Sequence, residues 1–194
     1  MSQNATFTSD WFSHNISQWE QTLQPLKGQA SLQALEIGVY EGRSVLWLLE
    51  NILTHSTAHL TCIDIFDASE EYKHSNLFEV FQANIKPYAD KVTVYKNTSV
   101  DTLGQLRWGV SAVLPPPQRS VYDLIYIDGS HKAPDVLEDL VLSWPMLKSG
   151  GILIMDDWGS ETAGVKQAAT GFFNCRPLEA AVLFNGYQLG IKKL

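Results

Sequence analysis

Apolar positions along this chain alternate between short runs with strand character and longer stretches with helical spacing. Leu32 to Ile37 reads as a first strand and runs straight into a glycine-bearing turn. From Ser44 to Leu53 the apolar residues Val45, Leu46, Leu48, Leu49 and Ile52 recur as on one helix face. Leu60 to Ile63 predicts a second strand ending at Asp64, and Leu77 to Ile85 a helix leading to a third strand, Val92 to Tyr95. Tyr122 to Ile127 predicts a fourth strand, and the helix after it starts at Pro134, a residue suited to a first turn, and extends to Leu147. Gly150-Gly151 then breaks the chain before a fifth strand, Ile152 to Met155. A helix from Gly164 to Phe173 precedes two last strands, Ala180 to Phe184 and Tyr187 to Ile191, with Asn185-Gly186 as a two-residue hairpin turn.

Strands alternating with helices predict an α/β fold: a doubly wound, mostly parallel seven-stranded sheet with a C-terminal antiparallel hairpin. Two regions break the rhythm. Trp11, Phe12, Ile16, Trp19, Leu23 and Leu26 make the apolar stripe of one leading amphipathic helix, spanning about 10–27. Trp108 to Ser120, with Pro115-Pro116-Pro117, reads as a stiff loop or short insertion. No repeat or linker divides the 194 residues, so a single domain is expected over 1–194.

Composition narrows the function classes. A net charge of -7 without a Lys/Arg cluster argues against nucleic-acid binding, and a small-molecule partner fits better. No apolar run is long enough to span a bilayer, and Met1 to Asp10 lacks the apolar core of a signal peptide. Cys62 and Cys175 form no disulfide framework, so a reducing, cytoplasmic location is the expectation.

Polar residues gather where the strands end: Glu36-Ile-Gly38, Asp64, Thr98-Ser99, Asp128 and Asp156-Asp157. In open α/β sheets that edge is where ligands bind. Any one acid there could be a solvated strand end; the succession at one edge points to a site. In the segment Glu36 to Ser44, Gly38 allows close backbone approach and Gly42 a tight helix start. A dinucleotide fingerprint would carry glycine where Glu36 stands, and acids here would repel a pyrophosphate. S-adenosylmethionine (SAM) has no phosphate and carries a sulfonium and an ammonium, which suit a carboxylate. Asp64 is placed to accept from both ribose hydroxyls, a role equally compatible with NAD; Glu36 is the discriminating residue.

The chain resembles the class I SAM-dependent methyltransferases, closest to the small-molecule O-methyltransferase branch. The likeness runs through Trp11-Phe12 and Trp19, Leu35-Glu-Ile-Gly-Val-Tyr-Glu-Gly-Arg-Ser44, Cys62-Ile-Asp-Ile-Phe66 and Asn84-Ile85. It continues through Tyr122-Asp-Leu-Ile-Tyr-Ile-Asp-Gly-Ser-His131, Leu147-Lys-Ser-Gly-Gly-Ile-Leu-Ile-Met-Asp-Asp-Trp158 and Gly186-Tyr-Gln188. The resemblance implies a methionine end lined by Glu36, Gly38 and Gly42, with Tyr40 and Ser44 in the same loop. It also implies a ribose on Asp64, adenine against Ile65, and a further contact at Thr98 and Ser99. The family often has Gly-Asp-Ser at that last place, and Asn97-Thr98-Ser99 departs from it.

The stretch from Asp128 to Trp158 also resembles the metal-dependent, catechol-type O-methyltransferases. Asp128, Asp156 and Asp157 match the acids of that pattern, and hard oxygen ligands suit Mg²⁺. The alternative is that these acids flank the cofactor and hold no ion. His131 stands where catechol-type enzymes carry a lysine base, and a histidine can replace it; it could equally be a residue that opens the next helix and bonds locally. His14, His55, His59 and His74 receive no role. The competing readings are a non-catalytic SAM-binding protein and a nucleotide-dependent oxidoreductase on the same fold. The Trp-rich leading helix is expected to cover the site or to pack in a homodimer.

Overall fold

The structure, a computed structural model, describes residues 5–67, 76–108, 121–161 and 164–194. Residues 109–120 of the proline-rich stretch, and His74, lie outside the described residues. Seven strands form one sheet: β1 (Gln33–Ile37), β2 (His59–Asp64), β3 (Val92–Lys96), β4 (Tyr122–Ile127), β5 (Leu147–Met155), β6 (Ala180–Asn185) and β7 (Leu189–Lys193). Their order is β3-β2-β1-β4-β5-β7-β6. The pairs from β3 to β5 are parallel, and β7 runs antiparallel to both β5 and β6. The α-helices are α1 (Ile16–Leu23), α2 (Arg43–Asn51), α3 (Leu77–Ile85), α4 (Ser99–Trp108), α5 (Ala133–Ser143) and α6 (Val165–Asn174).

Strand alternation splits the core into two clusters, one per sheet face. Ala34, Leu60, Leu124, Tyr126 and Ile154 face the cluster that holds Trp19, Trp47 and Phe81 from α1 to α3. Leu35, Ile63, Ile125, Ile127 and Leu153 face the cluster that holds Leu103, Leu140 and Phe172 from α4 to α6. Helices therefore cover both faces, as a doubly wound sheet requires.

Several expected boundaries move. The leading helix is three short pieces, with 3₁₀ turns at Ser13–Asn15 and Gln24–Leu26 on either side of α1; Pro25 enforces the last one. Gly150-Gly151 does not precede the fifth strand but lies inside it, because the ladder to β4 resumes across an irregularity between Tyr122 and Leu124. The helix before it accordingly stops at Ser143, and Trp144–Met146 turn as 3₁₀. The hairpin pairs Asn185 with Leu189, leaving Gly186 to Gln188 as a three-residue loop. A helix not read from the sequence, α4, caps itself with Thr98, whose hydroxyl accepts from the Asp101 N–H at 3.2 Å and donates to its carboxylate at 2.8 Å.

Candidate active site

The strand order reverses between β1 and β4, and such a switch point opens a crevice beyond the strand ends. The ladder of backbone bonds continues one residue past each strand. The Gly38 N–H donates to Ile63, the Asp128 N–H to Ile37 and the Asp156 N–H to Ile127, at 2.9, 2.8 and 3.0 Å. This fixes the polar residues that follow the strands in register along one edge.

The loop from Gly38 to Gly42 is bent by residues with positive φ: Gly38 at 81°, Tyr40 at 47° and Gly42 at 83°. A Cβ on Gly38 would lie 2.0 Å from the Asp128 carbonyl oxygen, so no other residue fits there. Tyr40 adopts a conformation that costs a non-glycine residue about 1 kcal/mol or more. Asp64 offsets that cost. Its Oδ2 accepts from the Val39 and Tyr40 N–H groups at 2.7 and 3.0 Å, and its Oδ1 from the Phe66 N–H at 2.6 Å. The carboxylate read as a ribose ligand is thus also the clasp of the loop.

Glu36, at the end of β1, is fully buried. Ser44 at the start of α2 donates to its Oε1, while Oε2 has no partner among the described residues. Burial, reinforced by the charges of Asp64 and Asp156, pushes its pKa up to about 8. Such an oxygen calls for a cation or a donor.

The N-terminal segment is stitched over this loop. The Thr8 N–H and hydroxyl both donate to the buried Glu41 carboxylate at 2.7 Å, and Arg43 donates to the Ser9 carbonyl. Asn84 exchanges bonds with the Thr6 backbone, and Trp11 stacks on Tyr40 at 5.0 Å. Ile65, the residue after β2, is 54% exposed. Thr98 and Ser99 begin α4, and Ser99 bonds the buried Asp139 of α5, whose own burial pushes its pKa up to about 6.

Beyond β4 and β5 lies an acidic cluster. Asp128, His131 and Asp157 offer ligand atoms within 4.8 Å of one another. His131 Nε2 lies 2.8 Å from Asp157 Oδ2, and the Tyr187 hydroxyl donates to Asp157 Oδ1. These two bonds hold Asp157 below the usual carboxylate range. Asp156 is buried and accepts from the Tyr126 hydroxyl on Oδ2 at 3.0 Å, while its Oδ1 has no partner among the described residues. Burial and the facing Asp156 push Asp128 well above the usual range.

The sequence pattern groups Asp128, Asp156 and Asp157 as one set. The structure gathers Asp128 and Asp157 with His131, and joins Asp156 to Asp128 through Tyr126. Tyr126, Tyr187 and Gln188 were missed as site residues. Tyr126 could have been found, since it precedes Asp128 by two on one strand and must share its face.

A family described as methyltransferase domain matches residues 35–158, which covers both the glycine loop and the acid cluster. The chain belongs to this family, the class I SAM-dependent methyltransferases. No curated protein matches the sequence. Among solved structures, an O-methyltransferase of Bacillus cereus in complex with SAH (S-adenosylhomocysteine) is 19% identical with a TM-score of 0.64, covering 96% of this chain and 84% of that one. A protein of Corynebacterium glutamicum is also 19% identical, at a TM-score of 0.63 over 91% of this chain and 80% of its own. The MycE methyltransferase of the mycinamycin biosynthetic pathway, in complex with Mg, SAH and mycinamycin VI, is 12% identical with a TM-score of 0.65. That match covers 97% of this chain and half of the MycE chain. At these identities the likeness is one of fold, a Rossmann-like methyltransferase sheet with its antiparallel hairpin. No helix among the described residues is long and apolar enough to cross a membrane.

Proposed function

We propose that this methyltransferase carries the methyl group of SAM to a hydroxyl oxygen of a small-molecule acceptor, with Mg²⁺ on the acid cluster and His131 as the base. The observation that carries the reading is a pair of buried carboxyl oxygens without partners among the described residues, Glu36 Oε2 and Asp156 Oδ1, at strand ends that flank β4. Buried carboxyl oxygens without a partner call for a cation or a donor. The first lies beside the glycine loop and suits the positive methionine end of SAM. The second lies among further carboxylates and suits a hard divalent ion.

In this reading Glu36, Gly38, Tyr40, Gly42 and Ser44 surround the methionine end, Ile65 meets the adenine face, and Thr98 and Ser99 close the far side. A carboxylate has about four acceptor positions, and the loop amides already take three on Asp64. That leaves room for a ribose hydroxyl without releasing the loop.

Asp128, Asp156 and Asp157 would hold the ion, and the crowding of Asp128 by Asp156 fits a divalent cation better than it fits two free acids. A bound Mg²⁺ would supply positive charge at the acceptor oxygen, lowering its pKa. His131 is 56% exposed and faces Asp157, so it can reach an incoming hydroxyl, take its proton and have the resulting imidazolium stabilised by that carboxylate. The deprotonated oxygen would then take the methyl group from the sulfonium of SAM, leaving SAH. The SAH and Mg in the neighbouring structures support both halves of the site. Phe12, Trp19 and Leu23 are spent on the chain's own core, which favours a covering role for the leading segment over a dimer contact.

Thermal melts test the cofactor half. SAH should raise the melting temperature in proportion to the logarithm of its concentration, and NAD should not. Equal stabilisation by NAD would overturn the assignment.

A further inference from the structure

The buried Tyr126 hydroxyl lies 2.9 Å from Asp128 Oδ2 and 3.0 Å from Asp156 Oδ2. This follows from strand geometry. Tyr126 and Asp128 share a face of β4, Ile154 and Asp156 share a face of β5, and Tyr126 pairs with Ile154. The phenol therefore lies along one pleat and its hydroxyl reaches both acids one pleat further on.

Behind it, Gln188 Nε2 donates to the Tyr126 oxygen at 3.2 Å, and Gln188 Oε1 accepts from the Trp19 indole N–H at 2.6 Å. All three side chains are at most 3% exposed. The indole is a donor only, so it fixes which end of the Gln188 amide faces it. The amide nitrogen must then face the phenol, whose oxygen becomes an acceptor. The single phenolic proton is left for the acids. The ring of Trp19 also packs edge-on against that of Tyr126 at 4.8 Å, which fixes the phenol in the plane the bond requires.

We infer that Tyr126 is a positioning residue for the metal-binding acids, and that Trp19 and Gln188 set its direction of donation from the leading helix and the terminal hairpin. The inference rests on the proposed metal site. The phenolic proton is shared between the Oδ2 atoms of the two acids, which leaves Asp156 Oδ1, without a partner among the described residues, as the oxygen offered to an ion. An outer hydrogen bond that aims a ligand in this way commonly accounts for about 10- to 100-fold in metal affinity.

The test is calorimetric titration of the full chain with Mg²⁺ and Mn²⁺, alongside SAH titration of the same samples. Tyr126→Phe removes one hydroxyl and keeps the ring; it should weaken metal binding about tenfold or more and leave SAH affinity within about twofold. Trp19→Phe keeps an aromatic ring but frees the Gln188 amide, and should give a smaller loss in the same direction. If wild type binds neither ion, the metal reading falls and this inference with it. If wild type binds and both variants bind equally well, the metal reading stands and the positioning role is refuted. Should Tyr126→Phe fail to fold, as judged by its melt and its SAH binding, Trp19→Phe alone decides.

Discussion

Glu36 shows what a single side chain contributes to this site. Its carboxyl titrates near 8 when buried and near 4.5 in the unfolded chain, so between those values the folded state holds a proton that the unfolded state releases. Stability from this group is therefore complete below about pH 4.5 and declines as pH rises to about 8, by at most about 1.4 kcal/mol per pH unit. Glu36→Gln should flatten the dependence of the melting temperature in that window and weaken SAH binding tenfold or more, as expected for loss of a charge-assisted bond. An unchanged slope together with unchanged affinity would remove Glu36 from the site. Asp64 is a second case, and its role is double. Asp64→Ala unpairs the Val39, Tyr40 and Phe66 amides, so it should lower stability by about 2 kcal/mol or more as well as weaken SAH binding. Denaturant unfolding of the variant without ligand checks this; full stability would mean that the loop holds itself. Glu36 and Asp64 were legible in the sequence because each stands at the end of a recognisable strand. The clasp on the loop was not, since it depends on which way one carboxylate turns.

Among the elements, those with strong periodicity came through from sequence with little change: Leu77–Ile85 and Tyr122–Ile127 lie where the pattern put them. The helix α4 escaped notice because it buries little beyond Thr102, Leu103 and Leu106, and carries Gly104 at its middle. Gly150-Gly151 misled in the other direction. Glycine in a strand marks an irregular ladder as readily as an end, and here β5 passes through it. The N-terminal segment is the element with most to test. Its bonds to Glu41, Arg43 and Asn84 run across the loop from Gly38 to Gly42, so removing the chain before Asp10 should expose that loop. We expect SAH affinity to drop several-fold and protease cutting near Tyr40 to quicken, with SAH slowing it again. Calorimetry and timed proteolysis measure both, and a truncated chain indistinguishable from the full one would reduce the segment to decoration.

For the molecule as a whole, the alternation of strands and helices was enough to read a doubly wound sheet, because each face must be covered and each crossover needs a helix. The edge on which the acids gather was legible for the same reason. The wiring behind them was not: Trp19, Tyr126 and Gln188 are 169 residues apart at the extremes and meet only because β7 inserts beside β5. The acceptor is likewise a matter of the assembled surface. The central claim is that one crevice combines SAM with a metal-held acceptor oxygen. Transfer of labelled methyl from SAM to a panel of phenolic and sugar hydroxyl compounds, with Mg²⁺ and again in excess chelator, tests it most directly. For the acceptor that turns over, chelation should abolish transfer while SAH still binds, and added Mg²⁺ should restore it. Equal transfer in excess chelator would contradict the account.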